Sequence, residues 1–592
     1  MQVYFLKQLV LGLRGGRAVK NPSLTICKLY TTITIMNVLS AVEMQACDHV
    51  TSERYGVAPA ELMRSAAAAV TAFVRLQYPR AWRVAVLCGR GSNGGDGLLA
   101  SRLLVNAGLN VTTLLLGSPL GLTGTAAEAW GELTNGGGGT YFVIEGKEDL
   151  EQHRKLLDAD LIIDAVLGTG FKPPLKQLLL ATLEWLKESK APILAVDLPT
   201  GWPSDLTEAT PSGAVFPADA VITFTAPKPA HVFGQLTRQW NQPVVVAQIG
   251  SPEEAVTGVL SRSSPGMHWA GTAMELVQAP RSLQANKGEF GHVLVLGGMF
   301  GSGGGRAGAP SITALAAMRS GAGLVTAAVP APAAPLVAAI APELMIWPLA
   351  ANGEGGISQE NLAPEIFTEL MAGKSVLAIG PGMGQAPDTA EFVSALLTTS
   401  TIPAVIDADA LNILAAQPQL LARLAAKSQA GRTLVLTPHP GEMARLAGIS
   451  VRDVQANRLG VARWFSQRFS VILVLKGART LIAHPDGRVA VNTTGNPGMA
   501  KGGSGDLLTG LVAGLLAQYP FDPGRAVEAA VYLHGLAADL AVGEQDEHTL
   551  LATDSLQQLS RAFRFQSRGP NGYVWLQGLP PAMNAAASHE AL

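Results

Sequence analysis

Short runs of β-branched and apolar residues, each closed by Gly, Asp or Pro and followed by a helical stretch, recur along this 592-residue chain from Arg83 onward. Parallel strands need long crossovers, usually helices, so this alternation confines the chain to parallel-sheet α/β architecture. First-half strands are expected near 84–87, 111–116, 141–144, 161–165, 193–197, 220–224 and 244–247, with helices such as 97–107 and 175–187 between them. Second-half strands are expected near 292–296, 324–329, 375–379, 404–406, 433–436 and 471–475. The pattern predicts two α/β domains, a doubly wound sheet over 36–250 and a second sheet over 262–565, joined through 249–265. Residues 566–592 show no periodicity and are expected to be a flexible tail.

Bulk properties narrow the function. At roughly 150 residues per domain the length fits two to four domains. Forty-three basic against 45 acidic residues give a net charge of −2, which argues against a partner bound by neutralising nucleic-acid phosphates. Cys27, Cys47 and Cys88 lack metal-ligand spacing or a disulfide framework, so a reducing cytosol is the expected setting. The Ala-rich stretch 314–342 is broken by Arg319, Pro330, Pro332 and Pro335, so no membrane span is predicted. Residues 1–35 carry Lys7, Arg14, Arg17, Lys20 and Lys28 with no acid and only short apolar pieces. They are expected to be a disordered extension or a mis-assigned start.

In the first half, a strand ending at Leu87 runs into Cys88-Gly89-Arg90-Gly91-Ser92-Asn93-Gly94-Gly95-Asp96-Gly97 and then a helix. That arrangement presents backbone N–H groups to a diphosphate, although a tight turn needing glycine gives the same pattern. Two further strands end in Asp164-Ala165-Val166-Leu167-Gly168-Thr169-Gly170 and Asp197-Leu198-Pro199-Thr200-Gly201. Because ligand crevices form at the carboxyl ends of parallel strands, Asn93, Asp164, Asp197 and Thr200 can converge there. Their oxygens suit a hard cation as well as a ribose or base, and either aspartate alone could instead be a turn former.

In the second half, Asn496-Pro-Gly-Met-Ala-Lys-Gly-Gly-Ser-Gly-Asp506 precedes the apolar helical run 507–518. Small residues at a helix start leave N–H groups free for an anion such as phosphate. A carboxylate beside that pocket makes sense if Asp506 takes the proton of a hydroxyl attacking the phosphate. The plainer reading is a helix cap.

Asn93-Gly94-Gly95-Asp96-Gly97, the Asp164 and Asp197 motifs and Pro227-Lys228-Pro229 together resemble the YjeF N-terminal family of NAD(P)H-hydrate epimerases, with a Rossmann-like sheet. The resemblance implies that Ser92, Asn93, Gly94, Gly95 and Asp96 contact the hydrated dinucleotide, as do Gly168, Thr169, Gly170, Phe171, Lys172, Pro173 and Pro174. It also implies K+ held at Asn93, Asp164 and Thr200, and Asp197 as the proton carrier and substrate contact. Ser92 stands where the family commonly has Asn, and Thr200 where it commonly has Ser; both keep an oxygen. Lys228 is open to two readings, a partner for substrate phosphate or an exposed lysine beside a proline turn.

Lys287-Gly288-Glu289-Phe290-Gly291-His292, Gly380-Pro381-Gly382-Met383-Gly384, Asp407-Ala408-Asp409-Ala410-Leu411-Asn412, Thr437-Pro438-His439-Pro440-Gly441-Glu442 and Lys476-Gly477-Ala478-Arg479-Thr480 extend the likeness. With the Asp506 helix start they are similar to the ADP-dependent NAD(P)H-hydrate dehydratases of ribokinase-like fold. This resemblance implies Asp506 as catalytic base, and Gly502 to Gly505 around the transferring phosphoryl group with Mg2+ sharing its charge. It implies Lys476, Gly477, Ala478, Arg479, Thr480 and Gly505 as nucleotide contacts, and Ala309, Gly384, His439 and Asp506 as contacts to the hydrate. Asn286 and Arg306 depart from the His and Tyr expected there. On the residues alone His439 also reads as a rigid turn, Asp407 and Asp409 as helix caps rather than contacts to Mg2+, and Glu442 equally as a first-turn acid or an indirect metal contact.

The implied protein is a bifunctional repair enzyme acting on NAD(P)H-hydrate with ADP, needing no nucleic acid or membrane; a homo-oligomer rests on family analogy alone. A ribokinase-like vitamin or small-molecule kinase fused to an epimerase-like domain is the alternative. An epimerase has a clear use beside a dehydratase that accepts one epimer, and none beside a vitamin kinase.

Overall fold

The computed structural model describes residues 35–136, 139–260, 266–302, 304–569 and 571–581. The expectations for residues 1–34, for 261–265 within the join and for the chain beyond 581 lie outside them.

The first half builds an eight-stranded sheet in the order Val574–Gln577, Val244–Ala247, Ala220–Phe224, Ile193–Val196, Leu161–Ala165, Arg83–Cys88, Asn110–Leu116 and Thr140–Ile144. Every pairing is parallel except that of Val574–Gln577 on Val244–Ala247. Leu161–Ala165, Ala220–Phe224 and Val244–Ala247 are buried at every position, as strands covered on both faces must be. Chain order reverses between Arg83–Cys88 and Leu161–Ala165, which opens a crevice at their carboxyl ends.

The second half forms an eleven-stranded sheet, in which Met345–Leu349, Leu324–Pro330, His292–Leu296, Val376–Ile379, Ala404–Ile406, Leu434–Leu436 and Ile472–Leu475 run parallel. An antiparallel ladder of Leu481–Ala483 and Val489–Val491 follows, and then Met267–Trp269. The switch point lies between His292–Leu296 and Val376–Ile379.

The two ends of the folded chain are exchanged between the halves. Asn37–Val38 pairs antiparallel with Met267–Trp269 and so completes the second sheet, while Val574–Gln577 completes the first. The expectation of a structureless tail from 566 therefore fails for residues 574–577. Their side chains are buried, Trp575 against Phe73 with ring centroids 6.3 Å apart, and Tyr573 Oη donates to the Ala69 carbonyl at 2.8 Å. Glu253–Gly258 likewise forms a short helix within the expected join.

Among the described residues no single helix is long and apolar enough to cross a membrane, although Ala41–Tyr55 and Pro59–Gln77, bent by 120°, meet that length and composition only as a pair.

Candidate active sites

At the crevice of the first sheet, the helix expected from 97 begins at Ser92, because Ser92 to Asp96 form its first turn rather than an open loop. Gly94 packs so closely on the preceding loop that a Cβ there would lie 1.9 Å from the Gly89 carbonyl oxygen. Part of the glycine run is thus explained by packing. Asn93 is different: both polar atoms of its side chain are buried and, among the described residues, without a hydrogen-bond partner.

Asp164, fully buried at the end of Leu161–Ala165, accepts from the Thr200 hydroxyl at 2.7 Å and the Thr200 amide at 2.8 Å. Burial pushes its carboxyl up to about 6 against these bonds. The strand Ile193–Val196 stops one residue short of expectation because Asp197 takes φ 63°. Such a conformation in a non-glycine residue costs roughly 1–3 kcal/mol and persists only where surroundings enforce it. Here the Thr169 amide and hydroxyl donate to Asp197 Oδ2 at 2.7 and 2.6 Å, and the Thr223 hydroxyl donates to Oδ1 at 2.9 Å.

The exposed-lysine reading of Lys228 fails: only 2% accessible, it places Nζ 3.0 Å from Asp197 Oδ1 and 2.8 Å from Thr223 Oγ1. His231 Nε2 lies 2.7 Å from the Asp197 carbonyl oxygen while its Nδ1 accepts from the Lys228 amide. Burial opposes ionisation of Asp197, but Lys228, His231 and the hydroxyl donors hold it well below the usual carboxylate range. Burial pushes Asp96 the other way, well above that range, with Asp197 and Asp48 adding like charge.

Thr223 and His231 were missed by the motif reading, since Thr and His inside or beside an apolar run read as core. Gly168 lies against this centre, where a Cβ would come within 2.5 Å of Asp197 Oδ2 and 3.3 Å of Asn93 Cγ. Asn93, Asp164, Gly168, Thr169, Asp197 and Thr200 are therefore brought together as expected. Lys172, Pro173 and Pro174 lie exposed beyond them, as does Ser92, with Phe171 partly buried.

At the second site, the helix Ser504–Gln518 starts with Asp506 in its first turn. The cap reading of Asp506 does not hold, because Gly503 occupies the cap and among the described residues no hydrogen bond reaches the Asp506 carboxylate. Burial and the like charges of Asp407 and Asp409 raise that carboxyl to about 6, against the pull of Lys476.

Lys476 Nζ lies 2.8 Å from Asp407 Oδ1 and 3.9 Å from Glu442 Oε2, and 3.4 Å from where a Cβ on Gly505 would stand. Burial disfavours its charge, yet Asp407, Glu442 and Asp506 together hold it above an ordinary lysine, so it stays an ammonium. A fixed cation beside a helix N-terminus makes an anion hollow.

The cap readings divide. Asp407 stands at the cap position of Ala408–Ala416 but makes no capping bond; its Oδ2 accepts from Thr509 at 2.6 Å instead. Asp409 accepts from the Gly384 amide at 2.9 Å and so ties that loop to the site. Glu442 is indeed a cap partner, accepting from the His439 amide at 2.8 Å, and His439 Nδ1 accepts from Gly441 at 3.0 Å. Ala309 meets the same loop, lying 3.2 Å from where a Cβ on Gly382 would point. Thr313, one turn further along the helix Gly308–Arg319 that carries Ala309, donates to the Asp506 carbonyl at 3.1 Å.

The 476–480 loop, expected to contact the nucleotide, is anchored by the Lys476 amide on the Pro438 carbonyl at 2.9 Å and by Arg458 on Ala478. Thr480 Oγ1 closes it on the Gly477 carbonyl at 2.9 Å. The Arg479 guanidinium donates to the carbonyls of Thr493 and Gly234 and to Gln577.

These two centres coincide with two known domain families. Residues 59–230 match the family described as YjeF-related protein N-terminus, and residues 293–561 match NAD(P)H-hydrate dehydratase. A Moorella thermoacetica protein named bifunctional NAD(P)H-hydrate repair enzyme Nnr is 37% identical over 538 residues, covering 89% of this chain and 97% of that protein. Its Escherichia coli K12 namesake is 35% identical over 522 residues, covering 85% of this chain and 89% of that protein. A Bacillus subtilis ADP/ATP-dependent NAD(P)H-hydrate dehydratase crystallised with ATP and Mg2+ is 33% identical, with coverage of 49% and 96% and a TM-score of 0.40. With identity sustained from end to end of its relatives and both domains present in one chain, the protein belongs to the bifunctional NAD(P)H-hydrate repair enzymes.

Proposed function

We propose that the first half interconverts the two epimers of hydrated NADH or NADPH, and that the second half dehydrates the S form at the expense of ADP, giving NAD(P)H, AMP and phosphate. The reading rests most on Asp506, a carboxyl without a hydrogen-bond partner among the described residues and with its pKa raised to about 6, beside the Lys476 ammonium and a helix start. A carboxylate in that position is matched to taking a hydroxyl proton near neutral pH.

The chemistry follows from a poor leaving group. Asp506 takes the proton of the ring hydroxyl as its oxygen attacks the terminal phosphorus of ADP, and the bond from that phosphorus to AMP breaks. Lys476 and the amides at the start of Ser504–Gln518 hold the equatorial oxygens. The ring nitrogen then pushes its electron pair toward the hydrated carbon, the carbon–oxygen bond breaks, and phosphate leaves with the former hydroxyl oxygen; the neighbouring ring carbon gives up a proton to the departing phosphate, and its C–H electrons form the ring double bond of NAD(P)H. Asp407 and Glu442, gathered around Lys476, would hold Mg2+, which supplies positive charge against the phosphates when bound.

In the first half the reaction is reversible, so a proton must be lent and returned. Asp197 takes the hydroxyl proton as the carbon–nitrogen bond of the hydrated carbon opens, and reclosure on the other face returns it. A carboxylate paired with Lys228 binds its proton weakly and releases it readily. Asp96, kept neutral beside ionised Asp197, is the acid of the pair toward the ring nitrogen. The unpartnered, buried Asn93 amide beside Asp164 and Thr200 fits a potassium ion, an oxygen-lined site for a hard monovalent cation. Bound there, K+ would supply electrostatic support to the developing oxyanion.

We place the reaction in the reducing cytosol, in keeping with unpaired, buried Cys47 and Cys88, and with no nucleic-acid or membrane partner. A homo-oligomer is carried only by family analogy. Mixed epimers of hydrated NADH with ADP and Mg2+ test the reading. Wild-type protein should restore the reduced-nicotinamide absorbance from both epimers, Asp506→Ala from neither, and Asp197→Ala from one. A persistent phosphorylated vitamin with no reduced cofactor would favour the kinase alternative.

A further inference from the structure

Arg479 stands in the loop assigned to the adenine nucleotide, and its side chain serves something else. Its backbone takes φ 54°, a region that side chains other than glycine rarely adopt. From there the guanidinium reaches across the boundary between the halves. Nη1 donates to the Thr493 carbonyl at 2.8 Å, and Nη2 donates to the Gly234 carbonyl at 3.1 Å and to Gln577 Oε1.

Both outer partners belong to the first half of the fold. Gly234 caps the short helix Pro229–Phe233, and Gln577 lies on the returning C-terminal strand. Gln577 is held in turn by its own amide, which donates to Thr237 Oγ1 at 3.1 Å and to the Gln242 carbonyl at 2.9 Å. An unfavourable backbone conformation persists only where the surroundings enforce it, and this planar, multi-bond grip supplies that enforcement. The 477–480 turn it fixes follows directly on Lys476, which sits against Asp407.

We propose that Arg479 is a positioning residue for the adenine nucleotide: by fastening the 477–480 turn to Gly234 and Gln577, it makes nucleotide affinity in the second half depend on the first half and on the C-terminal strand. The proposal rests on the assignment of Lys476 to Thr480 as the nucleotide loop. The strand Val574–Gln577 is then part of the dehydratase's nucleotide site by reach, without touching the nucleotide.

The test is steady-state dehydration in the full-length protein, with ADP and hydrated NADH varied separately and the melting temperature measured alongside. Arg479→Gly suits the backbone at this φ while removing the guanidinium, so it separates the grip from the strain. KM for ADP should rise about tenfold, the scale of one lost charged hydrogen bond, with kcat and KM for the hydrate within about twofold. Arg479→Lys should fall between, and Gln577→Leu, outside the loop, should raise KM for ADP roughly threefold.

Unchanged KM for ADP in Arg479→Gly, with a rise in Lys476→Met, would overturn the proposal and leave the loop assignment standing. An unaltered KM for ADP in Lys476→Met would remove the loop assignment and this proposal with it. A fall in melting temperature and kcat alone, with KM for ADP constant, would reduce Arg479 to a structural tie and overturn the proposal.

Discussion

Lys228 Nζ lies 3.0 Å from Asp197 Oδ1, with the two side chains only 3% and 12% exposed, so the ionised carboxylate of the first site carries its own counter-ion out of solvent. Neither charge is tolerable alone at that depth. The pair keeps Asp197 ionised and oriented, and Thr169 and Thr223 occupy its remaining acceptor directions.

Lys228→Met should therefore destabilise the protein by about 3–5 kcal/mol in urea unfolding, since it strands a buried carboxylate, and epimerisation should fall with it. The folded-state proton affinity of Asp197 is depressed, so its contribution to stability is fully present above the ordinary aspartate pKa of about 4 and is lost only as pH falls through the lower folded value. Lys228→Met should flatten that acid limb.

Dehydration should depend on pH in the opposite sense to an acid catalyst. Asp506 must be deprotonated to accept a proton, and its carboxyl titrates near about 6, so kcat rises with pH through that value and then levels. Asp506→Asn should lose roughly 10²–10⁴-fold in kcat and show no such limb. A stopped assay at constant ionic strength from acid to neutral pH reads both.

Potassium should matter to one half only through Asn93. Exchange of K+ for tetramethylammonium should slow epimerisation of the R form, followed by chromatographic separation of epimers. Asn93→Leu should be slow in either salt.

Trp575 is 1% exposed and packs on Phe73, so Trp575→Ala should cost about 3–5 kcal/mol in chemical unfolding. A dispensable tail would show no change.

The parallel strands were readable because burial on both faces imposes continuous apolar runs, as at Leu161–Ala165 and His292–Leu296. Asn37–Val38 and Val574–Gln577 were not, because their identity as strands comes from partners in the opposite half of the fold and from nothing in their own sequence. Met345–Leu349 is half exposed and carries Pro348, which reads as a loop until an edge position explains it. At the sites, Asp197 and Asp506 follow from strand and helix ends. Lys228 does not, since a lysine between prolines reads as surface and only tertiary burial makes it a counter-ion. Arg479 was assigned with its loop, whereas its contacts depend on residues 234 and 577, far away in sequence.

The fate of one oxygen atom decides whether phosphorylation precedes water loss. Hydrated NADH carrying ¹⁸O in its ring hydroxyl, reacted with ADP and Mg2+ in a single turnover, should deliver the label to inorganic phosphate, one atom per NADH formed. Phosphate free of label, with ¹⁸O released as water, would show that Asp506 does not direct that hydroxyl onto phosphorus.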